Sequence, residues 1–410
     1  MIIKNILEER EITMKKTVCE LFAGVGGFRL GLKKASDEWS IVWANQWEPG
    51  KKVQHAFNCY CHHFGKNDSH VNRDIAEIDK NDIFDHNLLV GGFPCQDYSV
   101  ARTGAQGITG VKGVLWWQIR EILEVKQANF VLLENVDRLI KSPAKQRGRD
   151  FGVMLACFND LGYSVEWRVI NAAEYGFVQR RRRIFIFAYK NTTRYFKEMS
   201  KLTNSDIINK NGFFATTFPI EKCEDIKVEE FKYGDIVDVS DNFKYEFCNS
   251  GIMRNGEFST CKTTPEFINP LNIKDIMEKH VDEKYYLGEE LSKWEYLKGA
   301  KKIQRVSKTG HSYTFSEGAI AFPDSIDKPA RTILTSESSV NRSTHVIRDI
   351  ETNQLRLLTP IEAERIQGFA DNWTNTGMPE KFRYFCMGNA LVVDLVEKMG
   401  KTLNTIFDME

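Results

Sequence analysis

The sequence predicts a doubly wound α/β domain joined to a smaller, irregular, mostly β domain. Three observations carry that expectation. Up to about residue 190, short apolar runs alternate with longer amphipathic segments, the rhythm of a strand–helix–strand fold. Several of those runs have no polar face, as in a parallel sheet covered on both sides. From about residue 191 the rhythm breaks into Asn/Lys/Asp-rich patches and short β-like pieces. The expected boundaries are 1–190 for the large domain, completed by helices within 355–410, and 191–354 for the small one.

Taken in order, the strand-like runs are TVCELFA (17–23), SIVWAN (40–45), NLLVGG (87–92), FVLLENV (130–136), VEWRVIN (165–171) and RIFIFAY (183–189). Helical periodicity falls between them, in FRLGLKKAS (28–36), PGKKVQHAFNCYCHHF (49–64), VLWWQIREILEVKQ (114–127) and DFGVMLACFNDLG (150–162). Two further helical patterns, 358–369 and 387–403, are expected to return to the large domain. Over 410 residues, 56 Lys+Arg balance 56 Asp+Glu, so the formal net charge is +0. That excludes a wholly basic coating protein and leaves room for a local basic groove. With 42% hydrophobic and 12% aromatic residues, the chain is too apolar for disorder. It holds no 18-residue apolar span and no secretory apolar segment at its start. Nine cysteines without such a signal point to reduced thiols in the cytoplasm.

Four segments carry chemistry. In ELFAGVGGFRLGL (20–32) a strand meets Gly24, Gly26 and Gly27 before a helix, so a ligand could approach the backbone at a positive helix end. Arg29 stands where a dinucleotide fingerprint needs its third glycine, which disfavours a nicotinamide site. In GGFPCQDYS (91–99), Cys95 follows Pro94 at the carboxyl end of a strand, where open α/β sheets bind ligands. In FVLLENV, Glu134 and Asn135 end an apolar strand, and a carboxylate there is costly unless paired or used. In EYGFVQRRRRIFIF, Gln179, Arg181 and Arg183 precede another apolar strand. The cluster His55, Cys59, Cys61, His62 and His63 suggests zinc, but no second Cys/His pair at finger spacing follows, and no metal is expected.

These four segments, in this order, resemble the cytosine-C5 DNA methyltransferases of prokaryotic restriction-modification type. FAGVGG, PCQ, ENV and QRRRR match that family's Phe-x-Gly-x-Gly turn, Pro-Cys loop, Glu-Asn-Val strand end and Gln-x-Arg-x-Arg segment. ARTILTSES (330–338) and GNALVVDLV (388–396) match its later Arg-Thr segment and closing Gly-Asn helix. The resemblance covers about 17–190 and 328–410. It implies a Rossmann-like methyltransferase sheet using S-adenosylmethionine, with a target-recognition domain between the two matched stretches. The expected partner is double-stranded DNA, met by a monomer that needs no protein partner. An RNA cytosine methyltransferase, a silent DNA-binding relative and an oxidoreductase are weaker readings.

The resemblance also implies roles. Cys95 would add to C6 of cytosine and make C5 nucleophilic. A protonated Glu134 would serve N3, Arg183 the cytosine O2, and Arg181 the loop or a phosphate. Phe22, Gly24 and Gly26, with Asn389 and the backbone of Ala390, would meet the methionine end of the cofactor, and Gly27, Pro94 and Leu115 would also lie on the cofactor side. Trp47 would meet the adenine, Asp74 and Ile75 its edge, and Gln46 or Glu48 the ribose. Gln96 and Ser99 belong to a glycine-rich loop (96–113) that would close over DNA with a flipped-out base. Gln179, Arg331 and Thr332 are expected on the DNA side, and basic clusters at 141–149, 180–183 and 301–308 at phosphates.

Overall fold

The computed structural model describes residues 13–93, 115–307 and 310–410. All six expected strands form. They are β1 (Thr17–Leu21), β2 (Ser40–Asn45), β4 (Leu88–Gly92), β5 (Phe130–Val136), β6 (Tyr163–Asn171) and β7 (Arg182–Lys190), with the short β3 (His70–Val71) added. Four helices, α1 (Gly27–Ala35), α2 (His55–Phe64), α3 (Leu115–Lys126) and α4 (Arg149–Asp160), fill the expected gaps. After β7 come β8 (Ile220–Cys223), β9 (Lys227–Glu230), β10 (Ser250–Arg254) and β11 (Glu257–Cys261). The main sheet has ten strands in the order β3-β2-β1-β4-β5-β7-β6-β10-β11-β9.

The sheet is parallel from β3 through β5 and antiparallel from β7 outward. The parallel pairing of the sheet therefore ends at β7. Only ten residues join Asn171 to Arg182, too few for a helical crossover, so β7 returns beside β6 as an antiparallel neighbour. Alternation in β5 explains its unbroken apolar run. Val131 and Leu133 enter a core shared with Trp116, Ile119 and Phe158 of α3 and α4. Phe130 faces the other way, stacked on Phe187 and against Phe407 of the helix Val393–Asp408. That helix crosses α1 closely. A Cβ on Gly31 would lie 2.5 Å from Val396 Cβ, and one on Gly400 would lie 2.7 Å from Ala35 Cβ.

The described residues divide into two compact units, along lines other than those expected. The first unit takes the described parts of Met1–Asn171, Arg182–Phe267 and Val393–Glu410, and the second takes Ala172–Arg181 and Ile268–Val392. Residues 191–267 join the large sheet because β10 pairs with β6 and carries β11 and β9 beyond it. Of the returning helices, only Val393–Asp408 lies in the first unit; Pro360–Ile366 and Glu380–Asn389 lie in the second. The second unit holds two separate two-stranded pairs, Lys301–Val306 with Ser312–Glu317 and Val346–Arg348 with Leu355–Leu357. Its interior carries a fully buried Arg356, bonded to Asp349 and bidentate to Glu362. Each charge there has a partner, as burial requires.

Candidate active site

In the first unit the glycine turn leaves β1 through Phe22, Gly24 and Gly26, all at positive φ (54°, 56° and 90°). A Cβ on Gly26 would strike the Phe64 ring, whereas one on Gly24 would meet nothing within 4 Å. Gly26 is therefore needed for packing, and Gly24 opens onto space. Gly27 begins α1, whose first turn holds no acid. The Gly24 N–H donates to Gln46 Oε1 at 2.7 Å. Gln46 thus braces the turn. Trp47 beside it is 38% exposed, a large indole face left to solvent. Glu48 is half-buried, and burial raises its carboxyl pKa; its Oε2 accepts from Ala56 N–H at 3.5 Å. Asp74 caps a short turn by accepting from Ala76 N–H at 3.0 Å. Ile75 has its side chain in the core, so its backbone is what it can offer. Leu115 sits half-buried at the start of α3.

Beneath the turn lies a network that the motif reading gave no role. Glu20, 0% exposed, accepts from Tyr60 OH at 2.8 Å and from Arg29 N–H at 3.2 Å. Arg29 Nη1 reaches Tyr60 OH at 3.1 Å and His70 Nε2 at 2.9 Å. His70 Nδ1 lies 2.8 Å from Gly65 O, so it donates there and leaves Nε2 to accept. Burial pushes the Glu20 carboxyl up to about 7 and lowers His70. The residue that excludes a nicotinamide fingerprint is thus tied into the base of the turn.

The strand ends meet at β4 and β5. Arg183 Nε lies 2.8 Å from Glu134 Oε1, and both side chains are largely buried. Antiparallel register explains the meeting, because Val136 pairs with Arg183 and Glu134 with Phe185. Gly92 makes room, since a Cβ there would sit 3.1 Å from Glu134 Oε2. Asn135 Nδ2 donates to Phe93 O at 2.9 Å, and its Oδ1 accepts from Val136 N–H at 2.8 Å. Asn135 therefore fixes the backbone immediately before Pro94 and Cys95. Pro94, Cys95, Gln96, Ser99 and the rest of the 96–113 loop lie outside the described residues.

The second unit corrects several expectations. Gln179, expected on the DNA side, is 0% exposed, accepting from Ile333 N–H at 3.0 Å and donating to Ile366 O at 3.5 Å. Arg181 is 2% exposed and donates to Ile333 O and Gly388 O at 3.3 and 3.1 Å, so of its two expected roles these bonds serve the loop and not a phosphate. Arg331 forks onto Asp324 at 2.6 and 3.0 Å and donates to Ser343 O at 2.9 Å, which commits it to holding its own loop. Thr332 Oγ1 donates to Arg180 O at 2.7 Å. Asn389 is exposed at the end of its helix, and the Ala390 N–H is given to Cys386 O at 2.8 Å. The Gly of Gly-Asn has a packing reason: a Cβ on Gly388 would collide with the backbone at Leu334 and Thr335.

A cavity of about 540 Å³ lies among Ser200, Thr203, Arg254 and Glu257, away from every motif residue. Among the described residues no group of three His, Cys, Asp or Glu is placed to hold a metal, and no helix is long and apolar enough to cross a membrane.

Sheet, glycine turn and the Glu134–Arg183 strand ends together define one class: the chain belongs to the C-5 cytosine-specific DNA methylases, a family that matches residues 16–405. It is an enzyme that methylates cytosine in DNA at carbon 5. Among its relatives, Type II methyltransferase M.Sau3AI of Staphylococcus aureus is 53% identical over 96% of both chains. Type II methyltransferase M.NgoBI of Neisseria gonorrhoeae is 38% identical over 45% of this chain and 54% of its own length. A crystal structure of a Spodoptera frugiperda DNMT2 variant shares the fold at 15% identity, with TM-score 0.58 over 95% of this chain and 99% of that one.

Proposed function

We propose that this chain transfers the methyl group of S-adenosylmethionine to C5 of a cytosine flipped out of a specific short sequence in double-stranded DNA, through a covalent bond between Cys95 and C6. The observation that supports this most is the Glu134–Arg183 pair at the end of β5, beside a Phe93 backbone that Asn135 holds. It puts a carboxyl and a guanidinium beside Gly92 at the end of the neighbouring strand β4, whose sequence runs on through Phe93 into Pro94 and Cys95.

The turn fits a methyl donor. Gly24 offers open space where any Cβ would intrude, and Trp47 offers an exposed aromatic face for an adenine. Gln46 is spent on the Gly24 N–H, so Glu48 is the group for the ribose hydroxyls. Asp74 and the Ile75 backbone serve the adenine edge. S-adenosylmethionine supplies the activated methyl group when bound. The residues of the chain do the rest. The Cys95 thiolate forms the Sγ–C6 bond, Glu134 gives a proton to N3, and Arg183 holds O2, so that C5 becomes electron-rich. After transfer the C5 proton goes to water, Sγ leaves as the C5–C6 double bond reforms, and N3 returns its proton to Glu134. The buried Gln179 and Arg181 and the half-buried Arg331 position their loops, and the second unit carries target recognition. By likeness to M.Sau3AI, named a Type II methyltransferase, the activity protects host DNA from a cognate restriction endonuclease.

Cys95→Ser should abolish methylation, because an alkoxide forms far less readily at neutral pH, while cofactor affinity stays within about twofold. Duplex DNA carrying 5-fluorocytosine should trap the wild-type protein as a denaturation-stable adduct, since fluorine cannot leave as a proton. Turnover by Cys95→Ser above a tenth of wild type, or no adduct on the fluorinated target, would overturn the covalent route.

A further inference from the structure

In the second unit the strands Lys301–Val306 and Ser312–Glu317 pair in register, Lys301 opposite Glu317 through Val306 opposite Ser312. Among the described residues they pair with no other strand. Eight of their twelve residues are exposed and the other four only half-buried. Val306 is 68% exposed and Tyr313 41%. A two-stranded ribbon without a core on either face is marginal in water, and such a ribbon gains by lying against something else.

We infer that this ribbon is a DNA-reading arm that enters the major groove of the target duplex and turns the face carrying Gln304 and Thr314 toward the base edges, while Lys302 on that face reaches to a backbone phosphate. The inference rests on the reading of the chain as a duplex-DNA methyltransferase and names part of its specificity surface. Alternation gives the ribbon two unlike faces. On one, the Arg305 guanidinium lies 3.8 Å from the Phe315 ring centre, and Lys301 Nζ lies 4.5 Å from that of Tyr296. That face is braced by its own stacking. The other face carries Lys302, Gln304, Val306, Ser312, Thr314 and Ser316 and holds no acid. Gln304 Nε2 donates to Thr314 Oγ1 at 2.9 Å. The amide plane is thereby fixed, leaving its oxygen and second N–H to pair with an adenine edge.

Charge and size fit the same partner. Lys301, Lys302 and Arg305 outnumber the one carboxylate of these strands, Glu317, which has Arg342 at 3.9 Å. Two strands about 4.8 Å apart fit a major groove about 12 Å wide, which admits a β-ribbon. A second copy of the chain adding to the ribbon edge is the competing occupant.

The test uses the full chain, a randomised duplex library read by bisulfite sequencing, and DNA affinity measured across a salt series. Gln304→Ala should relax selection at one base pair by about ten- to a hundredfold. Lys302→Ala leaves the Gln304–Thr314 bond intact. It should weaken binding to all sequences alike and lower the salt slope by about 1. Active Gln304→Ala enzyme with unchanged selectivity, together with Lys302→Ala protein of unchanged affinity and slope, would overturn the assignment. So would a concentration-dependent dimer abolished by Val306→Lys, which would give the ribbon to a second copy. A wild-type protein that methylates no duplex would strike the proposed chemistry instead, a result distinct from either.

Discussion

Glu134 and Arg183 show what single residues reveal in advance. A carboxylate ending an apolar strand demands a partner, and the structure supplies Arg183 at 2.8 Å. Gln179 and Arg331 read as DNA-facing, and Arg181 as steadying either the loop or a phosphate, because a polar side chain in a motif reads alike whether it faces a ligand or a backbone carbonyl. Only packing tells the two apart, and all three were found holding the chain. Glu20 escaped notice because its partners, Arg29, Tyr60 and His70, lie on elements far apart in sequence. Its burial has a measurable consequence. The folded carboxyl titrates near 7 against an ordinary 4.5, so between those values the folded protein keeps a proton that the unfolded chain has lost. Stability from this group is complete below about pH 4.5 and is lost as pH rises through 7. Glu20→Gln should flatten that fall by up to roughly 3 kcal/mol, at about 1.4 kcal/mol per unit. Urea midpoints at pH 5.5 and 8 for wild type and variant check it, and equal pH slopes in both would refute it. Glu166, likewise buried and pushed up to about 7, should contribute a fall of the same sign over the same range.

At the scale of elements, six strands and four helices were legible because hydrophobic period and length agree. The direction of β7 was legible too, had the ten-residue link been weighed against the length of a crossover. β10 and β11 carried a plain signal in Asn255-Gly256, both at positive φ (53° and 71°). That dipeptide between β-like runs is a strong hairpin mark, and Asn/Lys/Asp-rich surroundings hid it. The short β9, exposed at every position, has no apolar pattern to read. The crossing of α1 with Val393–Asp408 depends on paired glycines that no periodicity reveals. Gly31→Leu should cost about 1–3 kcal/mol, as overpacking usually does, because Val396 already occupies the space. A thermal midpoint within a degree of wild type would show that the crossing can yield.

For the molecule as a whole, the expected domain at 191–354 proves to be two things. Its first part extends the sheet through β10, and its second, from Ile268, belongs to the other unit. Composition could not separate them, since strand pairing between residues some 85 positions apart leaves no local trace. The division changes how a specificity exchange should be built. Replacing about 195–330 with a relative's segment would strip three strands from the sheet. Replacing 268–328 alone should move the methylated sequence and keep turnover, read by bisulfite sequencing. An active exchange that still marks the original site would refute the placement of recognition there. The crossing of α1 with Val393–Asp408 also has a meaning in time. Roughly 360 residues separate the two helices, and at about 5–20 residues per second a ribosome needs some 20–70 s to make them. Throughout that interval Gly31 and Trp39 await Val396 and Phe407, and Phe130 joins them once it is made. The nascent chain therefore carries an uncovered apolar face for most of its synthesis, and the final helix closes it like a latch.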